Sequence, residues 1–234
     1  MSLLKNRSAS FAAGRLTAVF GVLVLIGGCT TPPPTPGTPP PLSGDELKTA
    51  IDDVFGTFDP VTIDDSRDQQ IELPEAGMLA CSADGMNFTL VLEDGRGNPL
   101  REIGMSELPD RFVSFGLAGS DLANAAKLSI RAGVNYNLLL LPFSECPELG
   151  AGGQGNSAEG EVCMIYGGVG ETRTIQFDSA ITIQEFISSD SATVVLEETP
   201  IETRTSQESS FTLQAGPSVL IIDSHGAWSL ASNP

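Results

Sequence analysis

The chain has 234 residues, with thirty acidic side chains against twelve basic ones and a formal net charge of −18. A field of that sign repels nucleic acid and anionic lipid head groups, which excludes a DNA- or RNA-binding role. Hydrophobic residues make up 41% of the sequence, enough for a core and too many for a disordered chain, so one or two globular domains are expected.

Residues 1–28 read as a secretory signal. Lys5, Arg7 and Arg15 lead into the apolar run Leu16 to Cys29, LTAVFGVLVLIGGC, and no acidic residue precedes Cys29. A positive start, a short apolar stretch and a small-residue cleavage site are the marks of export. The run is shorter than the roughly 20 apolar residues that span a bilayer. Ile26-Gly27-Gly28-Cys29 resembles the lipobox of bacterial lipoproteins. That resemblance implies cleavage before Cys29, lipidation of Cys29, and anchoring in the cell envelope. Thr30 stands where an aspartate retains some lipoproteins in the inner membrane, so the same resemblance favours the outer membrane. The bland alternatives are an ordinary signal peptide with an incidental cysteine, or an uncleaved anchor. Several acyl chains on one residue hold durably, at about 0.8 kcal/mol per buried methylene. From Cys29 onward, nine basic side chains face thirty acidic ones, a net charge of −21.

Residues 29–42 form a tether. Seven prolines in TTPPPTPGTPPPL favour an extended polyproline spacer. Residues 43–56 predict a short helix. Ser43-Gly44-Asp45-Glu46 has the form of a capping box, Leu47, Ile51, Val54 and Phe55 share one face, and Gly56 stops the pattern. The helix, over about Asp45–Phe55, is expected to pack on the first domain.

Beyond it the pattern turns to short strands. Strand signals fall at Ile71–Leu73, Met78–Ser82, Asn87–Glu93, Arg111–Leu117, Lys127–Arg131 and Tyr136–Leu141, then at Glu161–Tyr166, Thr174–Phe177, Ile181–Phe186, Ala192–Glu197, Ser210–Leu213 and Val219–Asp223. Ser120–Lys127 suggests one or two helical turns capped by Ser120. Many short strands with regular turns predict an all-β protein: an antiparallel β-sandwich built as two tandem small sandwich units. The first unit is placed at 57–148 and the second at 161–234, with 149–160 as a glycine-rich linker loop.

The two halves look alike. IELPEAGMLACSADGMNFTLVLED from Ile71 aligns without a gap on IQFDSAITIQEFISSDSATVVLEE from Ile175, a shift of 104 residues. Ser114–Leu117 fits Ser210–Leu213 at a shift of 96, and Ile130–Gly133 fits Leu213–Gly216 at a shift of 83. The last two cannot hold together. LVLEDGRGN at Leu90–Asn98 and IRAGVNYNLLLL at Ile130–Leu141 resemble the pre-peptidase C-terminal domain, a small β-sandwich found beside secreted bacterial enzymes. Met86-Asn87-Phe88 departs from the family where an acidic pair opens that strand, so the calcium role of some relatives does not carry over.

Export puts Cys81, Cys146 and Cys163 in an oxidising compartment. Joining Cys146 to Cys163 closes a glycine-rich loop and is the most economical pairing, worth about 3 kcal/mol by loop entropy. Cys81 is then a buried free thiol. Spacing alone leaves the connectivity open.

Catalytic signals are thin, and no catalytic residue, metal ligand or cofactor is assigned. His225 is the single histidine and no nucleophile elbow accompanies it. The acidic pairs Asp52-Asp53, Asp64-Asp65 with Asp68, and Glu93-Asp94 fit no calcium loop and read as solvated faces. The expected function is a non-enzymatic envelope lipoprotein. It is held to the membrane by its lipid and presents β-sandwich units as a binding, interaction or spacer module to a protein or glycan. The competing readings are a secreted hydrolase using His225 and a carbohydrate-binding module using Trp228.

Overall fold

The computed structural model describes residues 40–104, 112–150, 153–156, 160–198 and 206–231. The expected signal peptide, Cys29 and most of the tether lie outside the described residues.

Helix α1 (Gly44–Phe55) opens the body and buries Leu47, Ile51 and Phe55 from one stripe. Ser43 occupies the N-cap position in extended geometry, but its hydroxyl caps nothing. The Glu148 carboxylate instead accepts from the Gly44 N–H at 2.7 Å. A tertiary contact thus serves the helix start in place of a Ser43 cap: a carboxylate there satisfies an orphan N–H of the first turn and also meets the dipole.

Strands fill the rest. The first half holds β1 (Val61–Asp65), β2 (Gln69–Glu72), β3 (Gly77–Ala83), β4 (Phe88–Asp94), β5 (Pro99–Gly104), β6 (Phe112–Phe115), β7 (Ala125–Ala132) and β8 (Tyr136–Leu141). The second holds β9 (Gly153–Asn156), β10 (Gly160–Tyr166), β11 (Val169–Phe177), β12 (Ile181–Ser188), β13 (Ser191–Glu198), β14 (Gln207–Ala215), β15 (Ser218–Ser224) and β16 (Ala227–Ala231). Pairing is antiparallel throughout these ladders. The protein is an all-β sandwich, with one α-helix among the described residues.

In the first half the sheet β1-β8-β3-β6 packs on the sheet β2-β7-β4-β5. Leu79, Phe115, Leu138 and Leu140 meet Phe88, Leu90, Leu128 and Ile130 between them. In the second half β10-β15-β12-β13 packs on β9-β16-β11-β14, with Ile183, Leu220 and Ile222 against Ile175, Phe177, Phe211 and Trp228. Adding eight to each strand number of the first half reproduces the strand order of the second. The register repeats too. Leu79 faces Val113 and Gly77 faces Phe115 across β3–β6. Ile175 faces Ser209 and Arg173 faces Phe211 across β11–β14, each displaced by 96. Leu90 lies between Ile103 and Ile130, as Ile183 lies between Leu196 and Ile222.

The repeat is therefore real at the level of connectivity, and the shift of 96 belongs to it. The gapless block at 104 is a slip by one whole strand: it sets β2, β3 and β4 on β11, β12 and β13, whereas topology equates β3 with β11 and β4 with β12. Alternation has period two in every half-buried strand, so a slip onto the next strand keeps the apolar pattern while exchanging the sheets. The shift of 83, which sets the end of β7 on the end of β14, is dropped.

The halves are not two separate beads. β6 pairs with β10 at Phe112 and Glu161, joining one sheet from each half into an eight-stranded sheet β1-β8-β3-β6-β10-β15-β12-β13. Together they form one compact unit. Gly153–Asn156, read as linker, is strand β9 and pairs with β16. Ser120–Lys127 holds successive turns and the start of β7 rather than helix, and the Ser120 hydroxyl donates to the Leu117 carbonyl at 2.8 Å instead of capping an N–H. Strand propensity in Ala125–Ala132, satisfied on both sides by β2 and β4, outweighs a helix too short to stand alone.

Helix α1 does not pack on the first half alone. Its Leu47, Ile51 and Phe55 join Met78, Leu117 and Phe143 of the first half and Ile165, Phe186, Val219 and Ile221 of the second in a third core. This core lies on the outer face of the eight-stranded sheet. It explains why MLAC, VCMIY and VLII read as unbroken apolar runs: β3, β10 and β15 are covered on both faces. Gly116, with φ of 75°, closes the loop after β6 where a Cβ would strike the Glu75 carbonyl.

Candidate functional site

The tether enters the body at a built junction. The Leu42 N–H donates to the Gly167 carbonyl at 2.7 Å, and no Cβ fits at Gly167 beneath Leu42. Gly167, in the turn that carries the chain from β10 in one sheet to β11 in the other, thus serves close chain approach. A cavity of about 330 Å³ opens here, lined by Leu42, Leu47, Leu149 and Ile165 with Tyr166 and Arg173 among its polar groups. Those polar groups are engaged within the protein. Arg173, 7% exposed, donates from Nε to Glu171 Oε1 at 2.7 Å, from Nη2 to the same oxygen, and from Nη1 to the Gly150 carbonyl at 3.2 Å. The Tyr166 hydroxyl accepts from the Gly170 N–H at 3.2 Å, and burial, helped by the Glu171 charge, raises its pKa. Glu148 holds the helix start. Chemically the arrangement grips a chain entry, with Glu148, Tyr166, Glu171 and Arg173 each spent on a contact within the protein.

Cys146 and Cys163 are bonded, with Cα atoms 5.6 Å apart. Both lie in the third core beneath α1, so the bond ties the segment after β8 to β10 across the two halves. Cys81 is a free thiol in the first core, pushed up to about 12 by burial and so kept from nucleophilic use.

His225 lies exposed in the β15–β16 turn, its N–H donating to the Ala180 carbonyl at 3.2 Å. The neighbouring Ser224 hydroxyl donates to the Gly226 carbonyl and accepts from the Gly226 N–H, which spends it locally. Trp228, suggested as a glycan platform, is 4% exposed and packs inside the second core, where no sugar ring can stack on it.

Of the acidic clusters, Asp65, Asp68 and Asp94 are engaged in local and cross-strand hydrogen bonds, while Asp52 and Asp53 lie on helix α1. Arg67 forks onto Asp65 at 3.0 and 2.9 Å and, with the Ser66 N–H, holds its carboxyl down to about 2. Asp68 accepts from the Ala132 N–H. Asp94 accepts from the Asn98 side chain and from the N–H groups of Arg96 and Asn98, which lowers its pKa. Among the described residues no three His, Cys, Asp or Glu side chains converge as a metal site.

Two carboxylates that the sequence did not single out are tied into the structure, Glu185 buried and Glu161 half-buried. Glu185, 1% exposed, accepts from the Ser218 hydroxyl at 3.0 Å and from the Gln214 N–H. It stands where the first half has buried Leu92, and it locks the β14–β15 turn. Glu161 spans the seam between halves, accepting from the Ser114 N–H at 2.8 Å and hydroxyl at 2.6 Å. Desolvation pushes its carboxyl above the usual glutamate value, with Asp223 adding and Ser114 and Arg101 opposing. Neither carries a local motif: Glu185 is a lone acid within ITIQEFIS, and Glu161 stands just before the run VCMIY.

An acid with a raised folded-state pKa favours the fold in its protonated form. The Glu161 contribution is complete below the ordinary value of 4.5 and is lost as pH climbs through the folded value. Glu161→Gln keeps an acceptor for Ser114 without the charge. Its urea midpoint is expected to gain on the parent's as pH rises from 4.5 toward neutrality. A difference that stays constant over that range would remove the electrostatic account of the seam.

Models of known protein families and curated proteins were both compared with this chain, and neither comparison found a match.

Proposed function

We propose that this protein is a lipid-anchored envelope lipoprotein, in the outer membrane, whose paired sandwiches act as a non-catalytic binding, interaction or spacer module. The observation that carries the reading is how the tether is joined to the body. Leu42, at the end of the proline spacer, is hydrogen-bonded to the β10–β11 turn, and the chain continues into a helix buried against both halves. A body held by its N-terminus bears every pull at that point, and a helix locked into a shared core spreads it over the whole unit. The spacer, extending by about 3.1 Å per residue in polyproline geometry, keeps a strongly acidic body clear of anionic head groups. The resemblance of each half to the pre-peptidase C-terminal domain belongs to the same proposal and is supported by the sandwich architecture.

No helix among the described residues is long and apolar enough to cross a membrane. Mass spectrometry of the protein recovered from bacterial membranes is expected to find a chain beginning at Cys29 and carrying acyl mass. Cys29→Ser should move it to the soluble fraction. An intact amino terminus, or an unmodified sulfur at Cys29, overturns the proposal.

A further inference from the structure

The six sheet edges differ in how they are guarded. An edge strand offers unpaired N–H and C=O groups, and proteins blunt such edges with charge, proline or brevity. β1 ends in Asp64-Asp65, β2 carries Glu72, and β9 is four residues long. β5, the counterpart of β13 in the repeat, opens on Pro99 and carries Arg101 and Glu102. β14 carries Glu208, gives its Gln214 N–H to Glu185, and turns Ser210, Thr212 and Gln214 outward.

β13 is different. It ends the eight-stranded sheet, pairs on one side with β12, and has no strand on its other side among the described residues. Ser191 to Leu196 contains no charge, proline or glycine. Ala192, Thr193 and Val194 are exposed, Val194 at 52%, beside Ile187 at 40% on the bulged neighbour. Short, uncharged, β-branched edges are the segments that accept another strand.

The charges at its ends say which strand. Asp190 lies before it and Glu197 and Glu198 close it. A second copy fits badly: antiparallel self-pairing centred on Thr193 and Val194 would set Asp190 of one chain opposite Glu197 of the other. Like charges directly opposed destabilise a strand pair, and each body is itself strongly acidic.

We propose that β13 is a strand-addition site for an extended segment of a partner protein, with a β-branched or apolar centre flanked by lysine or arginine. Main-chain hydrogen bonds to the free edge hold the segment; its basic ends meet Asp190 at one end of β13 and Glu197 and Glu198 at the other. This names the partner chemistry of the interaction module proposed above and rests on that reading, but not on the lipid.

The test uses the full mature chain in detergent and a labelled peptide, Lys-Lys-Thr-Val-Thr-Val-Thr-Lys-Lys, with a glutamate-flanked version as control. Fluorescence anisotropy is expected to show saturable binding of the basic peptide that is weakened about tenfold or more in the control and falls with added salt. Bound peptide should slow amide exchange within Ser191–Glu198 by about tenfold or more, as paired N–H groups are protected. Val194→Lys, at an exposed position that leaves both cores intact, should abolish the binding. Equal binding of both peptides, protection elsewhere but not in β13, or sedimentation of a dimer broken by Val194→Lys would each overturn the proposal. Because Cys29 is lipidated or not independently of this result, failure here and failure of the anchor are read separately.

Discussion

Ile51→Ala is expected to lower the stability of the whole body by about 3 kcal/mol, and Ile51→Asp by more, since the first leaves a cavity and the second also strands a charge in it. Ile51 is fully buried in the core that α1 shares with both halves. For a chain of this size each kcal/mol moves the melting temperature by about 2–4 °C. The single tryptophan, Trp228, lies in the second core and reports on that half, while far-UV circular dichroism reports on the sheets of both. The two transitions are expected to shift together in Ile51→Ala. If the tryptophan transition stays in place while the rest moves, the helix serves the first half only and its bridging role is lost.

Removing the disulfide is the second large change. Cys146 and Cys163 lie 17 residues apart, and replacing both with alanine is expected to cost about 3 kcal/mol, from the freedom returned to the unfolded loop. The bond also closes the third core, where both side chains are almost fully buried. Reductant without denaturant is therefore expected to leave it intact, while the same reductant in urea cleaves it, as a thiol assay on the separated products would show. Fast reduction of the native protein would mean that α1 lifts readily from the sheet.

The stability of this body thus concentrates on its seam. Two sandwiches joined only by the short β6–β10 contact would rotate about it. The helix, the disulfide and Glu161 each cross that line independently. A protein hung from a tether at one end of α1 gains from such redundancy, because the attachment point and the joint between halves are then the same core.

Much of the fold could be read from the residues in order. Period-two alternation in NFTLVLE and ITIQEF, punctuated by DGRGN and SSDS, specifies antiparallel strands whatever surrounds them. The helix follows from the stripe of Leu47, Ile51 and Phe55, and the short spacing of Cys146 and Cys163 makes their pairing the least costly. The likeness between the halves was also visible, although alternation could not say which strand matches which. What the chain order could not decide were the matters settled by contacts between distant residues. Glu148 holds the start of a helix that Ser43 was placed to cap, because a carboxylate 104 residues away reaches the Gly44 N–H. Trp228 is buried because the sheet that holds β16 lays one face against β10, β15 and β12 of the other sheet. The continuous sheet across both halves exists only once β6 and β10 meet. Local pattern sets the direction each side chain faces; which partner it faces is a property of the assembled sheets.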